Sequence, residues 1–280
     1  MGRCFKCGGS SFILKKNEVG EEVWSPCECR IKKDREMLLE SKLTDANIKK
    51  KFRMYTFDDY LAMSFTKEIQ DFNRPQVETL QKFINNPHEF MNNPYEFVRG
   101  PEDFNNNSEG SIISPEVFSK NPQTLWIWGE DSNAGHTTLS IILGIALIKA
   151  GYKVRFFKMQ NLLDAFVEFD KKDAFFADLK KFDVYIIDDA FVKGRSIVSG
   201  QYTHAHLFNF IDTALGEDKH FIMTSDKLVE GISSEFEQIK MILKRSLLEL
   251  ELRGSIIETK QAEKTLSERT DALINKMKKG

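Results

Sequence analysis

Apolar positions fall into two regimes along this chain. From residue 125 onward, short apolar runs alternate with stretches whose apolar residues recur at three- and four-residue spacing, while most of the upstream part scatters them among charges. The runs at 125–128, 153–157, 182–188 and 221–224 are short and nearly continuous, which predicts strands buried on both faces. Helices are predicted between and after them, over 137–149, 160–181, 205–215 and 235–249. This alternation implies an α/β fold, a parallel sheet flanked by helices on both faces, with its site at the C-terminal ends of the strands. Upstream, Val77, Leu80, Phe83 and Ile84 predict a helix over 75–90 that covers one sheet face. Residues 85–123 are rich in Asn, Pro and Ser and read as a loop. Leu266, Leu273, Ile274 and Met277 mark an amphipathic helix over 260–279.

Chemistry-bearing residues gather where the strands end. After the first run, Gly129 to Thr138 reads Gly-Glu-Asp-Ser-Asn-Ala-Gly-His-Thr-Thr. Strand, Gly-punctuated loop and helix start form the layout of a P-loop, in which backbone amides and the positive helix end grip phosphates. Gly129, Asn133, Ala134, Gly135, His136, Thr137 and Thr138 are therefore candidate nucleotide contacts, with the Thr137 hydroxyl placed to hold Mg2+. Two departures from G-x-x-x-x-G-K-[ST] stand out. Five residues separate Gly129 from Gly135, and His136 occupies the lysine position. An imidazole is shorter than lysine and mostly uncharged near neutral pH, so ATP binding is expected to outlast hydrolysis. A turn between strand and helix with no ligand is the competing reading.

The run at 182–189 ends in Asp188 and Asp189. As a Walker B strand it would place Asp188 on Mg2+ through water and Asp189 as the general base for the attacking water. Two solvated aspartates in a turn are the plain alternative. The run at 220–226 ends in Thr224, Ser225 and Asp226, one of which would sense the terminal phosphate; Ser225 is the choice, with its neighbours open, since strand ends also carry such residues for turns.

All four cysteines lie within the first 29 residues, as Cys4-x-x-Cys7 and Cys27-x-Cys29. Two close pairs on tight turns suit a structural Zn2+, which would replace the core that so short a segment cannot build. Four thiolates leave no open coordination position, so this metal is not expected to catalyse. Disulfides would need an oxidising compartment, and Met-Gly-Arg-Cys lacks the apolar stretch of an export signal, so a cytoplasmic protein with no membrane span is expected.

Composition adds little to this. A net charge of −2 with 29% charged residues gives no global preference for nucleic acid. Within residues 30–51, however, Lys and Arg outnumber Asp and Glu, as in a solvated helical linker. Candidate DNA contacts are Lys193 and Arg195 in the loop after Asp189, with Lys153 and Arg155; a plain basic surface is the alternative.

The order CxxC, CxC, a Lys/Arg-rich helix, Met54-Tyr-Thr-Phe-Asp-Asp-Tyr60, a P-loop, Asp-Asp and Thr-Ser-Asp resembles the DnaC/DnaI-type helicase loaders over nearly the full length. These are AAA+ ATPases, and bacteriophages encode some of them. The resemblance implies a zinc-binding module and helical linker over residues 1–52 and an AAA+ P-loop NTPase core over 53–280. It places Tyr55 and Phe57 near the adenine. It also implies that ATP, Mg2+ and Zn2+ are bound, and that the N-terminal module docks on a hexameric replicative DNA helicase so that the helicase is placed on single-stranded DNA. Such loaders self-associate through ATP-bridged interfaces, where an arginine of one subunit reaches the γ-phosphate of the next; Arg245 matches that position, an exposed helix arginine being the alternative.

Departures from the pattern all remove or displace positive charge around the phosphates. They are His136, the longer loop, and the missing sensor 2 arginine after Arg253-Gly254, for which Lys260 is a poor substitute. Weak intrinsic turnover and a mobile-element origin are the expectations. Two other classes stay open: a non-hydrolysing helicase-binding adaptor or inhibitor, and a transposition-type AAA+ regulator coating duplex DNA, against which the four thiols argue.

Overall fold

The computed structural model describes residues 4–63, 66–85, 123–131, 134–167, 172–192, 201–245 and 247–253. They divide into two compact units, residues 4–44 and 45–253. All of the predicted loop over 85–123 except its two end residues, the terminal helix over 260–279, Asn133, Lys193 and Arg195 lie outside the described residues.

The first unit is a hairpin followed by a helix. Strands β1 (Phe12–Lys16) and β2 (Glu22–Pro26) pair antiparallel from Phe12↔Pro26 to Lys16↔Glu22. Asn17 closes their turn by accepting hydrogen bonds from the amides of Val19 (3.1 Å) and Glu21 (2.8 Å), and Gly20 supplies a left-handed φ of 88°. Helix α1 (Glu28–Asp45) carries charges around most of its circumference. Among the described residues of this unit, only Cys27 and Leu43 are buried. An apolar core cannot be what holds it together.

The second unit is built the opposite way. Helix α2 (Phe57–Ala62) opens with a capping box, in which Thr56 and Asp59 each accept the other's backbone amide at 2.9–3.2 Å. Helix α3 (Lys67–Asn85) follows. Then come β3 (Thr124–Trp128), α4 (His136–Lys149), β4 (Val154–Lys158), α5 (Met159–Val167), α6 (Lys172–Leu179), β5 (Val184–Asp188), α7 (Gln201–Gly216), β6 (His220–Ser225), α8 (Glu237–Lys244) and β7 (Leu247–Glu251). The five strands from β3 onward pair in parallel in the order β4-β5-β6-β3-β7. Neighbours β3 and β6 send their chains to opposite sides, so the crevice for a ligand opens at their C-terminal ends. Helix α4 is apolar on every side, with ten of its fourteen residues buried. A Cβ on Gly144 would stand 2.5 Å from Ile186 Cδ1, so the glycine lets the helix lie close on β5.

Two elements of the core differ from the sequence reading. The predicted helix 235–249 ends at Lys244, and the chain continues as edge strand β7. Buried Leu247 and Leu250 are three residues apart, a spacing that imitates a helix; pairing with β3 decides against it. Helix α3 begins at Lys67 and runs through Pro75, which read as a first helical position. Its missing amide removes one intrahelical bond, outweighed by complete burial of Val77 and Leu80.

Candidate nucleotide and metal sites

The loop after β3 is shaped by two glycines. Gly129 is buried, and a Cβ there would strike the Leu252 carbonyl oxygen and stand 2.8 Å from Nε2 of His136. Gly135 takes φ 82°, ψ 21° and caps α4 with no side-chain hydrogen bond, so no side-chain cap fills the first-turn amides of an apolar helix. Such amides, at the positive end of the helix dipole, are donors for an anion. Ala134 accepts the Tyr60 hydroxyl at 2.8 Å, with Tyr60 fully buried, so α2 pins the loop from outside the motif.

His136 is 8% exposed, and its Nε2 is buried without a hydrogen-bond partner. Burial pushes its pKa down to about 4, against the pull of Asp189, Asp131 and Asp226. The lysine position of the motif therefore holds a neutral ring packed under Gly129. Thr138 follows Thr137 in the first helical turn.

The carboxylates form a tight network around Thr137. Asp188, fully buried, accepts the hydroxyls of Thr137 (2.6 Å) and Thr224 (2.8 Å) on the same oxygen, Oδ1. Its other oxygen, Oδ2, has no hydrogen-bond donor, and burial raises the pKa of the carboxyl despite the two hydroxyls. A hydroxyl and an under-satisfied carboxylate at the mouth of a P-loop fit the cation that accompanies a nucleotide triphosphate, with Thr137 and Asp188 as its holders. Asp189 turns away from the strand at φ 57°, and its amide donates to Thr224 Oγ1 at 3.1 Å. Of the three candidates ending β6, Thr224 reaches both aspartates. Ser225 is buried with its hydroxyl donated to the Ala190 carbonyl at 2.8 Å, which commits it to holding β5 and β6 together.

Sequence reasoning missed Tyr60 and Lys158 and left Thr224 open beside Ser225. Lys158 ends β4 in register with Asp188, its Nζ 3.1 Å from Asp189 Oδ2 and 3.6 Å from Asp188 Oδ2. No motif marks it, because only strand pairing brings it to the site. Tyr55 and Phe57 are half-buried, the Tyr55 ring 6.1 Å from Phe52. Arg245 is exposed at the C-terminus of α8. Arg155 donates to the Asp45 carbonyl and stacks its guanidinium over Phe157 (5.5 Å) and Phe182 (5.4 Å), so packing within the core unit occupies it.

In the first unit the four cysteine Sγ atoms all lie within 4.8 Å of one another, with Cys4–Cys27 at 3.8 Å and Cys7–Cys29 at 3.5 Å. Tetrahedral Zn2+ with Zn–S bonds of about 2.3 Å requires sulfur separations of about 3.8 Å. Gly8 and Gly9 carry φ of 61° and 98° just after Cys7, turning the first pair toward the second. Backbone donors at Gly9 and Ser11 lower the Cys7 thiol to about 7, whereas Cys29, beside it, is raised to about 12. Neighbouring thiolates repel, and a divalent cation is what would let all four ionise together.

A family model described as the IstB-like ATP binding protein matches residues 38–267. The chain belongs to that family. Its core is accordingly an AAA+ type P-loop, ATP-binding fold. No curated protein matches the chain at a significant level. Among solved structures, this IstB-like chain is similar to DnaI, at 10% identity over 74% of this chain and 93% of that one, with a TM-score of 0.50. A DnaC helicase loader matches at 16% identity over 73% of this chain and 100% of that one, TM-score 0.49. AMPPCP-bound DnaA from Aquifex aeolicus matches at 19% identity and TM-score 0.46 over 69% of this chain, which spans about half (49%) of that protein's length. These similarities concern the fold. No described helix is long and apolar enough to cross a membrane.

Proposed function

We propose that this protein is a helicase loader, whose AAA+ core binds ATP with Mg2+ and whose four-cysteine, Zn2+-holding module docks on a hexameric replicative DNA helicase so that the ring is placed on single-stranded DNA. The observation that carries this reading is the union, in one chain, of a nucleotide-type site at a β3–β6 switch point with a separate module held by four converging thiols. That module presents exposed apolar side chains, including Phe5, Val19, Trp24 and Met37, as a partner-binding surface would. The sequence resemblance described above supports the choice of partner, and the similarity to DnaI supports the core fold.

In this reading Thr137 and Asp188 hold Mg2+, Asp189 orients water, Thr224, whose hydroxyl meets both aspartates, senses the terminal phosphate in place of the committed Ser225, and Arg245 serves a neighbouring subunit in an ATP-bridged assembly. The bound metal would polarise the terminal phosphate; the chain's own residues set the pocket's shape and charge. The neutral, buried His136 favours weak turnover, and at its limit a non-hydrolysing adaptor that keeps the same docking function. Co-purification with a hexameric replicative helicase, with and without ATP, tests the proposal. Full-length protein should retain helicase and a chain lacking residues 1–50 should lose it. Retention after truncation would remove the docking role from the module, and filaments on duplex DNA with no helicase binding would favour a transposition-type regulator.

A further inference from the structure

The P-loop position that ordinarily carries a cation is filled by an imidazole facing Gly129, while a lysine that belongs to no motif stands on the far side of the Asp188 carboxylate. Thr137, next in sequence to His136, donates to Asp188 Oδ1, and the Lys158 ammonium faces Asp188 Oδ2 at 3.6 Å and Asp189 Oδ2 at 3.1 Å. One carboxylate group therefore separates Lys158 Nζ from the first turn of α4. The register pair Lys158↔Asp188 fixes this placement through the backbone pairing of β4, at the sheet's edge among the described residues, with the interior strand β5, and the lysine side chain is 43% exposed, free to swing its ammonium toward a ligand.

We propose that Lys158 is the relocated phosphate cation of this site: with no ligand its ammonium neutralises Asp188 and Asp189, and when a nucleoside triphosphate binds it pairs with the terminal phosphate in place of the absent loop lysine. This deepens the nucleotide-binding reading above and rests on it. The alternatives left to the site are poor. His136 is too short and packed too deeply under Gly129 to reach past the loop. A triphosphate brings several negative charges beside two carboxylates, which Mg2+ alone does not balance. An ammonium already held between the carboxylates moves only a short way to meet that charge, and the carboxylates then pass to the metal and water.

The test is a fluorescent-nucleotide displacement titration with MgATP and MgADP on wild type, Lys158→Met, Lys158→Arg and the double variant His136→Lys/Lys158→Met. Lys158→Met is expected to weaken ATP by about tenfold to a hundredfold, as for loss of a hydrogen bond to a charged group. ADP, lacking the terminal phosphate, should weaken less, so the preference for ATP over ADP collapses. Lys158→Arg should retain most of the preference, and His136→Lys should restore ATP binding to the methionine variant, a rescue that a purely structural role would not give. Unchanged or tighter ATP binding by Lys158→Met overturns the proposal and leaves the nucleotide site standing. Wild-type protein that binds neither nucleotide overturns both.

Discussion

The module over residues 4–44 and the core over 45–253 reach a fixed structure by opposite means. In the core, Trp126, Tyr185, Leu143 and Ile127 are fully or almost fully enclosed, and the Trp126 indole completes its hydrogen bonding by donating to the Lys227 carbonyl at 2.8 Å. In the module, Leu14 and Trp24 stand 47% and 70% exposed on the hairpin, and what converges is four sulfurs. Burial of apolar area scales with chain length, so a short unit with an exposed sheet needs a cross-link or a metal. The contrast teaches that the two units should fail independently, and each expected failure below sharpens or breaks that separation.

The largest effect is expected from removing metal. A structural Zn2+ contributes roughly 10–16 kcal/mol to folding in small zinc modules. Treating the nucleotide-free protein with a strong zinc chelator, or substituting Cys27→Ser, should abolish protease protection over residues 4–44 while the melting temperature of the core stays in place. One equivalent of zinc by elemental analysis should accompany the wild type. Loss of the core transition on chelation would break the comparison.

Next comes the reverse experiment. Trp126→Ala empties the centre of the core beside β6 and leaves the Lys227 carbonyl without its donor, a cost of about 3–5 kcal/mol in denaturant unfolding. Zinc content and proteolytic protection of the module should be unchanged.

The buried His136 gives a pH signature confined to the core. Its folded pKa of about 4 lies below the unfolded value of 6.5. The unfolded chain therefore binds more protons between those values, and the stability held above pH 6.5 is lost as pH falls toward 4, by about 3 kcal/mol in total. Asp188, with a raised pKa, acts in the opposite direction: its contribution is gained as pH falls through its folded value. The readout is thus the difference between wild type and His136→Asn, whose melting curves should converge as the pH is lowered. Parallel curves across that range would show the ring to be solvated.

The smallest effect is expected at the outer support of the P-loop. Tyr60→Phe removes the hydroxyl that satisfies the Ala134 carbonyl, costing about 1–3 kcal/mol of core stability. It should weaken nucleotide binding and leave zinc content untouched.

These expectations depend unequally on what the sequence alone disclosed. The parallel sheet, the P-loop turn and the buried aspartate were legible, because apolar runs ending in Gly or Asp are what a strand buried on both faces must look like. Strand β7 was not, since Leu247 and Leu250 keep helical spacing among helix-forming residues and become a strand only by pairing beside β3. The hairpin of the module passed unnoticed although Asn17 and Gly20 marked its turn, because its faces carry no apolar alternation to announce a strand. At the site, sequence spacing named Thr137 and Asp188, which a hydrogen bond joins, and left Thr224 open beside Ser225; which of the two hydroxyls meets the aspartates depends on the side of β6 each one faces. Lys158 lies thirty residues from Asp188 in the chain and one strand away in space, a relation that only register discloses.

The account rests most heavily on a loop that holds a triphosphate while carrying a neutral ring at its lysine position, and calorimetric titration of MgATP into the full-length protein examines this directly. It predicts saturable one-site binding to ATP, weaker binding to ADP, no binding to AMP, and loss of the ATP signal in Asp188→Asn. A protein that releases no heat with any adenine nucleotide, in a preparation whose core melts cooperatively, would contradict it.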